Sequence, residues 1–171
     1  MTDTVSTAIY MDAVADTGWD IDTLQHIGGG STAAHLYGIK AMGGVKGTSQ
    51  AGGLRVHGGV IRGVNNLAHV YIDSAVGNAR FLFACAILGS GSNADPPTVA
   101  TIQDNSIAAC VVVDDSCIWP EPNGYHVDLS GITAGAQPGL SFGGLTRGAP
   151  RVNNPNAIAI ARNALASGLN A

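Results

Sequence analysis

The sequence predicts a mainly β fold: a single-domain antiparallel sandwich, barrel or prism-like arrangement with glycine-rich turns and at most a short C-terminal helix. Three observations predict it. Glycine and proline punctuate the chain about every ten residues, the spacing of short strands in all-β domains. Glu121 is the only glutamate, and Lys40 and Lys46 are the only lysines, so residues that favour exposed helices are nearly absent while strand and turn formers are plentiful. The 24 glycines are about twice the usual share, and their entropic cost places them where a turn, bulge or close approach demands them.

Residues 1–25 read as an N-terminal arm, with Val5 to Val14 undecided between strand and extended segment. A β domain is expected over 26–152. Within it, Leu67 to Asp73 alternates with both faces at least half buried. Phe81 to Leu88 and Ile107 to Val113 are near-continuous apolar runs, as in central strands covered on both sides. Gly89 to Thr98, with Pro96-Pro97, reads as a loop. So does Trp119 to Gly124, whose Asn123-Gly124 is a tight-turn signal leading into Tyr125 to Leu129. The segment 153–171 reads as a short helix: Asn154 caps, Pro155 opens, Ile158, Ala161 and Leu165 fall at helical spacing, and Gly168 stops it. Against this, Ala157 to Ala161 alternates like a strand.

Two internal echoes stand out. Ile27, Gly29, Ala34, His35, Tyr37 and Gly43 recur 34 residues later, at Ile61, Gly63, Ala68, His69, Tyr71 and Gly77. Gly53-Leu54, Val56, Gly58-Gly59 and Arg62-Gly63 recur, after one gap, as Gly139-Leu140, Phe142, Gly143-Gly144 and Arg147-Gly148. The two offsets disagree, so no regular array is expected.

With 171 residues the chain has room for one domain, and its 46 % apolar share supports a core. Charged residues make up only 12 %, against about 25 % in ordinary domains. A net charge of −4 without a Lys/Arg cluster argues against nucleic acid. No signal peptide and no membrane span is expected. Cys85, Cys110 and Cys117 lack metal or disulfide spacing and read as small buried hydrophobes.

Several motifs look chemical. Gly139-Leu140-Ser141-Phe142-Gly143 spells a serine-hydrolase elbow, but no His, Asp or Glu follows Ser141 in the chain, where that fold needs its acid and histidine. A triad in another order, using His126 and Asp128, is the alternative. Gly89-Ser90-Gly91-Ser92-Asn93-Ala94 mimics a dinucleotide fingerprint, yet Asp95-Pro96-Pro97 breaks the helix it requires. Gly43 to Thr48 has its lysine before the glycine, so it is not a P-loop. His26, His35, His57, His69 and His126 show no ligand spacing and read as partly buried imidazoles. Asp12, Asp16, Asp20, Asp22, Asp114 and Asp115 match no calcium loop and read as turn or cap residues. No cofactor and no metal is expected.

Trp19, Tyr37, Tyr71, Trp119 and Tyr125 are the candidate ligand or interface residues, forming a sugar platform if exposed and core if not.

In composition the chain resembles small virion proteins of tailed bacteriophages, which are glycine- and alanine-rich, short-stranded and without a catalytic centre. The resemblance implies a non-enzymatic structural protein of a virus-like particle, a capsid decoration or stabilising protein assembled in the host cytoplasm. Its expected partners are copies of itself and other particle proteins such as a major capsid protein. The alternatives are a carbohydrate- or receptor-binding module of a phage tail or lectin-like protein, with a glycan as ligand, and a hydrolase using Ser141.

Overall fold

The computed structural model describes residues 9–11, 18–27, 37–42, 53–62, 67–77, 79–88, 99–106 and 108–169. The described residues form strands β1 (Ile9–Met11), β2 (Gly18–Ile21), β3 (Leu24–Ile27), β4 (Tyr37–Ala41), β5 (Gly53–Arg62), β6 (Ala68–Ile72), β7 (Arg80–Leu88), β8 (Ala100–Asp104), β9 (Cys110–Val113), β10 (Ile118–Trp119), β11 (Tyr125–Asp128), β12 (Gly139–Arg147), β13 (Val152–Asn153) and β14 (Ile160–Leu169). No helix occurs among them.

Every pairing between these strands is parallel. Sheet A runs β1-β4-β6-β8-β11-β13, and sheet B runs from β2 and β3 through β5, β7, β9 with β10, and β12 to β14. The chain therefore visits sheet A and then sheet B six times, and each strand lies beside its counterpart in the next pass. This is a parallel β-solenoid of six coils. It corrects the antiparallel sandwich, barrel or prism expected from the sequence. Strand spacing says that a turn follows each strand, not whether the next strand pairs back or crosses to another sheet. Asn123-Gly124 shows the difference: it links β10 of sheet B to β11 of sheet A, so it closes no hairpin.

The core is built from register columns. Leu54, Phe81, Val111 and Leu140 lie level across sheet B, as do Val56, Phe83, Val113 and Phe142. All eight are buried. Ile9, Ile39, Val70, Ile102 and Val127 form the matching column of sheet A.

The second echo is explained by this register. Gly53 pairs with Arg80, Arg80 with Cys110 and Cys110 with Gly139, so Gly53 and Gly139 stand in one column three coils apart. The first echo is out of register, since Tyr37 pairs with Ala68 and not Tyr71. Coil lengths vary, which hides the repeat from a fixed-period comparison.

The paired glycines have a structural cause. β2 and β3 are one strand broken at Asp22–Thr23, and β9 and β10 one strand broken at 114–117. The next coil places Gly58-Gly59 against the first break and Gly143-Gly144 against the second. Gly59 and Gly144 have φ of +102° and +111°, and a Cβ there would collide with the carbonyl oxygens of Leu24 and Cys117 respectively.

Aspartates make the corners; of those read as turn or cap residues Asp114 is one, whereas Asp20 lies within β2, and Asp12 and Asp16 lie outside the described residues. The Oδ1 atoms of Asp73, Asp104, Asp114 and Asp128 accept from the backbone N–H two residues on, at 3.0, 2.9, 2.8 and 3.0 Å.

The C-terminal helix is corrected. Asn154 caps no helix but closes a turn, its Oδ1 accepting from the Ile158 N–H at 2.8 Å and its Nδ2 donating to the Ile158 carbonyl at 2.9 Å. Ala157 then adopts φ 51°, and the chain leaves as β14, paired with β12 over most of its length. The cross-strand partner decides between two patterns that the sequence holds in balance. At the other end, β1 and β2 are paired into the sheets. The boundaries drawn at 25/26 and 152/153 fall inside β3 and β13.

The Leu67 to Asp73 strand is present as β6. Phe81 to Leu88 is present as β7, but only Phe81, Phe83, Ala86 and Leu88 are buried, while Leu82, Ala84 and Ile87 are half-buried on the other face. Cys117 is buried, its thiol donating to the Phe83 carbonyl at 3.4 Å, and Cys110 is half-buried; neither forms a disulfide. The segments Gly89 to Thr98 and Gly43 to Thr48, and the side chains of His26, His35 and Cys85, lie outside the described residues.

Candidate functional site

The outer face of sheet A is the richest surface in chemistry-bearing side chains. Because β-strand side chains alternate, the residues between the core positions share this face. The register aligns Tyr10, Lys40, Tyr71, Gln103, Asp128 and Asn153 in one column across all six coils, with neighbouring strands about 4.8 Å apart. Tyr10 is 53 % exposed.

Within this column the polar groups are held. The Tyr71 hydroxyl donates to Asp73 Oδ2 at 3.2 Å. The Tyr37 and Tyr71 rings lie 4.7 Å apart, tilted by 37°, and Lys40 Nζ sits 5.2 Å from the Tyr37 ring centre, within cation–π reach. Burial pushes both phenols above their ordinary range, so they remain neutral hydroxyls in water near neutral pH. Asn153 Nδ2 donates to Asp128 Oδ1 at 2.9 Å, tying the fifth coil to the sixth.

The five aromatics singled out in the sequence are thus divided. Tyr37 and Tyr71 meet on sheet A, and Tyr125 is exposed at the start of β11. Trp19 lies in the core column of sheet B, level with Leu54, and is 42 % exposed because β2 is the outermost strand there among the described residues. Trp119 is wholly buried. Its indole N–H donates to the Gly143 carbonyl at 2.9 Å, and its ring meets Phe142 and His126 edge-on at 6.5 and 6.4 Å. Enclosed in this way, it belongs to the core and not to a ligand platform. Sequence reasoning missed Tyr10, Gln103 and Asn153. The signal that could have found them is the register itself, which a single strand does not reveal.

A second polar column is buried. Flanking pairs place His69 and His126 level with Thr101, and all three have no exposure to solvent. His126 Nδ1 accepts from the Arg151 N–H at 3.1 Å. Burial, helped by the Arg151 charge, lowers its pKa to about 4, so it is neutral at pH 7. Arg151 itself donates to the Pro122 carbonyl and pairs with Glu121 at 3.7 Å, fixing the 120–124 loop.

The Ser141 triad is not assembled. Ser141 alternates with buried Leu140 and Phe142, so it lies on the outer face of sheet B, whereas His126 and Asp128 belong to β11 of sheet A. His126 and Asp128 keep separate partners, Arg151 and Ser130 with Asn153. No group of three or more His, Cys, Asp or Glu side chains that could hold a metal occurs among the described residues.

Comparison with known families, characterised proteins and solved structures finds no match. What sheet A offers chemically is ring faces, hydroxyls, amides and the Lys40 ammonium group, suited to holding a neutral polyhydroxylated ligand, while the Asp128 carboxylate is buried and held by Ser130 and Asn153.

Proposed function

We propose that the chain is a structural, homo-oligomeric protein of a virus-like particle, in keeping with a bacteriophage decoration or stabilising role, and that it is not an enzyme. The observation that carries this reading is the parallel stack of six coils among the described residues. Such a stack is a stiff building element with two broad faces, and Ser141 lies on a different sheet from His126 and Asp128. Low charge supports the same reading, since interface centres are depleted in charged residues. The test is proteomic analysis of purified particles from the source. Stoichiometric copies of the chain in intact particles are expected, and its absence from them would refute the role.

A second reading is favoured by the outer column of sheet A: a glycan- or receptor-binding module whose contacts are Tyr10, Lys40, Tyr37 and Tyr71. Glycan binding by the isolated chain, lost on Tyr71→Ala with the melting temperature unchanged, would select it.

A further inference from the structure

The outer face of sheet B carries two register columns of side chains. One unbroken column there reads Asp20, Arg55, Leu82, Val112, Ser141 and Arg162 from the first coil to the sixth. A second reads Val60, Ile87, Ile118 and Leu145 from the second coil to the fifth. These four alternate with buried Ile61, Leu88, Trp119 and Thr146, so they face outward. Val60, Ile87 and Ile118 are half-buried and Leu145 is 42 % exposed. A contiguous aliphatic stripe on a folded surface marks an interaction site. It also explains why β7 reads in the sequence as a strand covered on both sides: the second cover is not supplied by the described residues of this chain.

The pattern along the two columns identifies the occupant. Both are symmetric about the line between the third and fourth coils, that is, between β7 and β9 with β10. Consider a second copy laid face to face about a two-fold axis running along the strands at that line. Leu82 then meets Val112, Ile87 meets Ile118 and Val60 meets Leu145. At the rim, Asp20 meets Arg162 and Arg55 meets Ser141. Apolar centres coincide, and the Asp20 carboxylate of one copy is set against the Arg162 guanidinium of the other. An isologous interface needs this self-complementarity, and a face of unrelated purpose has no cause to show it.

Size agrees. Nine-residue strands rising about 3.3 Å per residue, in six rows about 4.8 Å apart, give a face of roughly 850 Å². A standard interface buries about 800 Å² per partner. The rim side chains are available: Asp20, Arg55 and Arg162 are 59, 53 and 58 % exposed in their present pairs with Arg55 and His57, with Asp20, and with Asp115.

We propose that the outer face of sheet B is a dimerisation surface that packs two copies of this chain with their solenoids antiparallel, centred on Leu82, Ile87, Val112 and Ile118. The surface locates the self-association in the proposed function, but it does not depend on a virion.

Sedimentation of the purified chain tests it. A species of twice the 17.2 kDa chain mass is expected. Leu145→Lys, at an exposed position, should weaken the dimer at least about tenfold with an unchanged melting temperature. Asp20→Arg and Arg162→Asp should each weaken it, and the double reversal should restore it. Within one chain these two residues are five strands apart, more than a Debye length, so the rescue reports contact between copies. A monomer at high concentration, a dimer indifferent to Leu145→Lys, or a double reversal without rescue would each overturn the proposal. A parallel pairing sets Asp20 against Asp20 and gives no rescue. Dimerisation of a chain that is absent from particles would reject the virion role and leave this surface standing.

Discussion

At the scale of single residues, the buried histidine is the most consequential choice. His126 stands where an aliphatic residue would fill the same column, yet its ring accepts the Arg151 N–H and packs against the edge of Trp119. Its pKa falls from 6.5 to about 4 in the folded chain. A depressed histidine binds its proton more readily when unfolded, so stability is intact above about pH 6.5 and is lost as pH falls towards 4. The loss reaches the order of 3 kcal/mol. Asp104 acts in the opposite sense: burial raises its pKa, so stability rises as pH falls from that raised value, and the gain is complete once the ordinary carboxylate range is passed. Urea unfolding at pH 7 and pH 4.5 should therefore show a marked acid loss that His126→Gln reduces. An equal loss in the variant would assign the effect elsewhere.

At the scale of elements, the interrupted strands carry the argument. Each break in one coil is met by a Gly-Gly pair in the next, and Gly59 and Gly144 occupy backbone conformations that favour glycine. Gly59→Ala or Gly144→Ala should cost at least about 1–3 kcal/mol and lower the melting temperature by about 4 °C or more. Gly77→Ala, where an added Cβ meets nothing within 4 Å, should leave it within about a degree. Equal shifts in all three would remove the role assigned to the breaks.

The same elements show what was legible in the sequence. β6, β7, β9 and β11 could be read from alternation and apolar runs, and the 120–124 loop from its prolines and Asn-Gly. Their direction could not, because nothing within a strand encodes which neighbour it will meet. β14 was misread for the same reason: Ile158, Ala161 and Leu165 satisfy helical spacing locally, and only pairing with β12 settles the choice. Of the candidate site, Tyr37 and Tyr71 are visible as aromatics, but their contact, and the row that Tyr71 shares with Tyr10 and Lys40, arises from coils about 30 residues apart in the chain. Trp119 was legible as a large apolar residue and turned inward, where its N–H found the Gly143 carbonyl.

At the scale of the molecule, the account depends on one geometric fact: successive coils stack in parallel with a fixed register. That stacking produces the core columns, the polar row on sheet A, the self-complementary face of sheet B and the alignment of Gly53 with Gly139. The most direct measurement is the set of inter-strand contacts in solution by nuclear Overhauser effects. The solenoid predicts that Leu54 contacts Phe81 and Val56 contacts Phe83, with Val111 and Val113 next in the same order. Leu54 against Phe83 together with Val56 against Phe81, the pattern of an antiparallel pair, would contradict it.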